Sequence, residues 1–103
     1  MIIMNMILTT ITKEKARIEY MLAKYREELE GLPKGTISAK KVGENTYYYL
    51  KYREGKKVIS QYVSKSCVEE VGERIEKRKH VETMIKSLQE ELTIADKVLE
   101  GEL

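Results

Sequence analysis

The sequence predicts an α+β protein: a long antiparallel helical hairpin of the coiled-coil kind, with a three-stranded antiparallel β-meander inserted between the helices. Three observations carry this expectation. A heptad-spaced apolar seam runs through the first third of the chain, a second runs through the last third, and between them lie short alternating segments broken at glycines. At 103 residues the chain has room for one domain, residues 1–103, divided into a helix over 4–32, strands over 35–64 and a helix over 66–100.

The first helix follows from the spacing of Met4, Leu8, Ile11, Lys15, Ile18, Leu22, Tyr25, Leu29 and Leu32, which alternate in steps of three and four. Only Lys15 interrupts the stripe. The opening MIIMNMILTTI has no basic flank and no small-residue cleavage site, and it is too short to span a bilayer, so it reads as the start of this helix and not as a targeting segment. Gly31 and Pro33 stop it, because proline cannot continue a helix and disfavours helical backbone in the residue before it.

The second helix is expected from a capping box at Ser66 and Glu69, followed by the seam Val68, Val71, Ile75, Val81, Ile85, Leu88, Leu92, Ala95 and Leu99. The phase of this seam skips at Arg78. Helices of matched length would pair end to end, bringing Met4, Leu8 and Ile11 onto Leu88, Leu92 and Ala95. Lys15 and Arg78, the seam exceptions, would then reach Glu82 and Glu19. Ile7, Met21, Met84, Ile94 and Val98 widen the apolar faces beyond what one partner helix covers, which predicts a homodimer.

Between the helices, turns at Gly43-Glu44-Asn45 and Gly55-Lys56 define three strands. Tight turns would pair Tyr52 with Ile59, Leu50 with Gln61 and Tyr48 with Val63, and on the other side Ile37 with Tyr52 and Ala39 with Leu50. Strand alternation assigns those residues to a face turned toward the helices. Lys40, Val42, Tyr47, Tyr49, Lys51, Arg53, Ser60 and Tyr62 fall on the opposite face.

Charge is distributed unevenly along the chain. The net charge is +2, yet residues 34–65 hold eight basic residues against two acidic ones, a net of +6, which leaves eleven against fifteen, a net of −4, elsewhere. A basic sheet face carrying exposed tyrosines suits DNA or RNA, since lysine and arginine neutralise phosphates and aromatic rings stack on bases. The expected contacts are Lys40, Lys51, Arg53, Lys56 and Lys57 for phosphates and Tyr47, Tyr49 and Tyr62 for stacking. Two other readings accompany this one. The displayed tyrosines can be cross-strand pairs that stiffen a thin sheet, and the molecule can be an oligomeric coiled-coil interaction module that binds no nucleic acid.

Catalysis is the least supported class. Asp96 is the only aspartate, and no nucleophile motif or phosphate-binding glycine loop is present, so no enzyme activity, cofactor or small-molecule substrate is expected. One cysteine and one histidine cannot complete a tetrahedral metal site or an intrachain disulfide, and a reducing, cytoplasmic setting fits. His80 reads as part of a solvated helix face and Cys67 as a half-buried structural thiol.

The segment LPKGTISAKKVGENTYYYLKYREGKKVISQYVSK resembles a small prokaryotic domain of unknown function that recurs in uncharacterised bacterial, archaeal and mobile-element proteins. The resemblance lies in a G-[ST]-[IL]-x-x-K-K strand at Gly35 to Lys41, a Y-Y-Y-L-x-Y-R-E-G-x-K hairpin at Tyr47 to Lys57 and the helix that follows. It implies the strand-and-helix architecture and brings no activity with it.

Overall fold

A computed structural model describes residues 2–101, with side chains from residue 6 onward. It contains helix α1 (Ile2–Glu30), strands β1 (Thr36–Val42), β2 (Asn45–Glu54) and β3 (Lys57–Val63), and helix α2 (Val68–Leu99). The strands form one antiparallel sheet in the order β1-β2-β3, so the protein is of the α+β class. No helix among the described residues is long and apolar enough to cross a membrane. Two compact units emerge: residues up to Glu30 with those from Val81 on, and Gly31–His80.

In the sheet unit both connections are two-residue turns. Val42 pairs with Asn45 around Gly43-Glu44, and Glu54 pairs with Lys57 around Gly55-Lys56. Gly43 and Gly55 have φ of 63° and 61°, and among the described residues only glycines have positive φ, so Glu44 and Lys56 do not, the combination of a type II′ turn with glycine leading. The β2–β3 register agrees with the sequence expectation. The β1–β2 register differs by two residues: Ile37 lies opposite Leu50 and Ala39 opposite Tyr48, because Asn45 belongs to the strand and not to the turn. A shift of two preserves the face of every side chain.

The sheet core gathers Leu50, Val63 and Ile75, with Ile37, Tyr48, Tyr52, Val68 and Val71 packed against them. The first turns of α2 thus cover the inner face. Gly72 lies on this stretch, and a Cβ built there would meet only Ile37 Cδ1, at 3.8 Å. Ala39 and Gln61 carry inner-face alternation but are exposed, since the helical cover is narrower than the sheet. Arg74 donates to the Gly31 carbonyl and Arg78 to that of Leu32 at 2.8 Å, holding the chain that leads into β1.

The start of α2 also differs from expectation. Its first helical hydrogen bond runs from the Val71 amide to the Cys67 carbonyl at 2.9 Å, which makes Cys67 the N-cap. Ser66 therefore does not cap the helix; its hydroxyl sits 3.2 Å from that of Ser64. Cys67 is exposed and not half-buried, because the apolar stripe begins one residue later at Val68.

In the other unit Ile18, Leu22 and Leu88 form the buried core, joined by Met21, Tyr25, Ile85 and Leu92. Lys15 bonds Asp96 at 2.7 Å and not Glu82. Leu88 and Leu92 accordingly receive Ile18 and Leu22, where the sequence had placed Leu8 and Ile11. The cause lies in how α2 is used: its residues up to Ile75 cover the sheet, so only the part from Val81 onward is free for α1. Leu8 is left 37% exposed and Met6 64% exposed. The side chain of Met4, the first seam position, lies outside the described residues.

Candidate functional site

The outward face of the sheet is built by alternation alone. Every second residue of β2, namely Asn45, Tyr47, Tyr49, Lys51 and Arg53, points away from the core cluster. Register places Val42, Lys40, Ser38 and Thr36 beside them on β1, and Tyr62, Ser60 and Val58 beside them on β3. None of these residues is acidic.

The face is ordered in rows. Lys40 lies beside Tyr47, Ser38 beside Tyr49 and Tyr62, Thr36 beside Lys51 and Ser60, and Arg53 beside Val58. Aromatic rings therefore concentrate toward the β1–β2 turn and cations toward the β2–β3 turn, with Lys40 as the cation at the aromatic end. Tyr62 is 58% and Tyr47 37% exposed. Tyr49 is half-buried because the Tyr62 ring leans on it, edge to face, with centroids 6.0 Å apart. This contact is the cross-strand stiffening pair that the sequence allowed, and it leaves the larger part of Tyr62 open.

Six of the eight expected contact residues, Lys40, Tyr47, Tyr49, Lys51, Arg53 and Tyr62, share this face. Lys56 occupies the β2–β3 turn. Lys57 pairs with Glu54 at even-numbered β2 positions, so it belongs to the opposite face and has an acidic neighbour. Among the described residues, no carboxylate pairs with Lys40, Lys51 or Arg53. Tyr48 and Tyr52 pack into the core cluster, as alternation required.

Two contributions lie outside the expected contacts. Ser60, on the outer face where alternation placed it, and Ser38, which the sequence did not single out, help to line a shallow cleft of about 490 Å³ with Ala39, Lys40, Tyr49 and Lys51. Gly35, φ 117°, passes so close to β2 that an added Cβ would collide with the Lys51 carbonyl and lie 2.9 Å from Tyr52 Cβ. The glycine before β1 was the available signal for that close approach.

Residues 11–73, which are 63 of the 103, match the family described as Domain of unknown function (DUF6788), and the chain belongs to that family. The matched segment holds the whole sheet, both turn glycines and every residue of the outer face. No curated protein and no solved structure matches the chain.

Proposed function

We propose that the protein binds nucleic acid through the outer face of its sheet, in a binding and not a catalytic role. The observation that carries this reading is a face with exposed Lys40, Lys51 and Arg53, three tyrosines and no carboxylate. Unpaired cations on a rigid sheet attract a polyanion, and rings held among them suit a partner that has both phosphates and aromatic bases. Lys56, in the turn, extends the same charge beyond the strand ends. The exposed thiol of Cys67 fits a reducing, cytoplasmic setting.

The test is a titration of labelled oligonucleotides at low salt, repeated as salt rises. Binding is expected to weaken linearly in the logarithm of salt concentration, and changing Lys51 and Arg53 to glutamine should reduce the slope by about 0.7 to 0.9 for each phosphate no longer neutralised. Polyglutamate that binds as tightly as the oligonucleotide would assign the face to an acidic protein surface instead.

A second reading is favoured by a separate observation. Ile7, Met6 and Ile94 are 51%, 64% and 57% exposed, and residues 1–12 contain no charged side chain. This apolar, uncharged stretch supports a coiled-coil interaction module that forms a homodimer through its helices. The two readings use different surfaces and are compatible.

A further inference from the structure

We propose that the outer face is a single-strand site: the cleft over Tyr49 seats one phosphodiester group, and the open side of Tyr62 takes an adjacent base. The inference rests on the nucleic-acid reading and narrows it to one class of partner.

The cleft is lined by Lys40 and Lys51, by Ser38 and Ser60, and by Tyr49 with Ala39. Two ammonium groups and three hydroxyls supply many hydrogen-bond donors, and no carboxylate competes for them. That set suits a compact anion with several acceptor oxygens. Tyr62 occupies the next row, about 7 Å along the strand direction from Lys51 and Ser60. Its ring is supported by Tyr49 and 58% exposed, so a flat, partly desolvated platform stands beside the anion seat.

A duplex would leave this platform unused. Bases in a duplex are stacked on one another and offer only their edges in the grooves, which leaves a tyrosine ring no base face to stack on. Stacking on tyrosine requires a base that is free of its neighbours, and it tolerates any base because each has a π-face. The face is accordingly suited to an unpaired, sequence-varied strand.

Fluorescence anisotropy of the full chain decides the matter, using labelled oligothymidine of about 12 nucleotides, a length within reach of one single-strand module, against a duplex of equal length. Single strand is expected to bind at least tenfold more tightly. Lys40→Gln together with Lys51→Gln should lower the salt slope by about 0.7, the value for the one phosphate seated between them, and Tyr62→Ala should weaken binding about 5- to 150-fold. Tyr62→Leu, which keeps apolar bulk, serves if the alanine variant does not fold and should reduce affinity similarly. Equal or tighter binding of the duplex overturns the single-strand site while the nucleic-acid reading stands. An unchanged slope in the lysine double variant, with single-strand preference retained, overturns the phosphate seat. Absence of salt-sensitive binding to either oligonucleotide overturns both this inference and the reading beneath it.

Discussion

Tyr49 and Tyr62 face each other across β2 and β3, with ring centroids 6.0 Å apart and planes inclined at 71°. They form the only aromatic contact shown among the described residues, and it lies on the face away from the core. Removing either ring should cost stability only modestly, about 0.5 to 1.5 kcal/mol for the pair geometry, because little burial goes with it. Tyr48, one residue before Tyr49 but packed against Leu50 and Val63, should cost more, about 2 kcal/mol on truncation to alanine. Urea denaturation of Tyr48→Ala and Tyr62→Ala checks this, and the reverse order would mean that the two faces are exchanged.

Gly72→Ala should stabilise the protein. Glycine inside a helix costs about 0.5 to 1 kcal/mol relative to alanine, and here the new methyl would meet only Ile37 Cδ1 at an ordinary 3.8 Å. A rise in melting temperature is the expected outcome. A fall would show that the helix packs on the sheet more tightly at this point than the structure has it.

Gly35→Ala should act in the opposite direction. Its φ of 117° is strained for any residue with a side chain, and the methyl would collide with the Lys51 carbonyl. A loss of about 2 kcal/mol is expected in chemical denaturation. Loosening β1 from β2 should also weaken oligonucleotide binding, since Ser38 and Lys40 depend on that pairing.

The Lys15–Asp96 bond has a pH signature. The hydrogen bond that Lys15 donates to the Asp96 carboxylate, together with the charge of that group, raises the Lys15 pKa above the ordinary 10.5. A raised pKa in the folded state means that the contribution is fully present below 10.5 and fades as pH climbs through the higher folded value. The difference in melting temperature between the wild type and Lys15→Gln should hold constant from neutral pH upward and narrow only beyond 10.5. A difference that narrows on acidification toward neutrality would contradict the sign.

Deleting residues 1–10 should leave the helical core intact, because Ile18, Leu22 and Leu88 all remain. The melting temperature should therefore change little, while any dimer should weaken. Sedimentation of the full chain at micromolar concentration supplies the baseline, and a species of 12.0 kDa alone would remove the case for assembly through this segment.

Much of the sheet was legible in the sequence because its signals have period two and sharp boundaries. Gly55 fixed the second turn and Gly43 located the first, although counting Asn45 in that turn displaced the β1–β2 register by two residues; alternation, which such a shift preserves, still gave the faces of Tyr47, Tyr48 and Tyr49. The helix register was not legible. Lys15 meets Asp96 and not Glu82, a difference of 14 residues, which is two heptads. A seam that repeats every seven residues looks the same after such a shift, so pattern alone cannot choose. What chooses is the prior use of Val68, Val71 and Ile75 by the sheet, and the phase skip at Arg78 marks the change of partner. The candidate site was readable as far as its cations, its rings and the face of Ser60; Ser38, and the cleft that the two serines help to line, were not, because an isolated serine on a strand carries no distinctive signal.

The two-residue turns described above also bear on the order in which the chain acquires its structure. Each strand meets its neighbour after only a short loop, whereas Ile18 and Leu22 must find Leu88 some 66 to 70 residues away. Closing a short loop costs little chain entropy, and hairpins of this kind form in about 1 to 10 μs. The sheet is thus expected to assemble first and to collect the beginning of α2 onto its inner face. That docking fixes which stretch of α2 is still available when α1 returns, so the early local event selects one of several heptad alignments that the late long-range event could not tell apart.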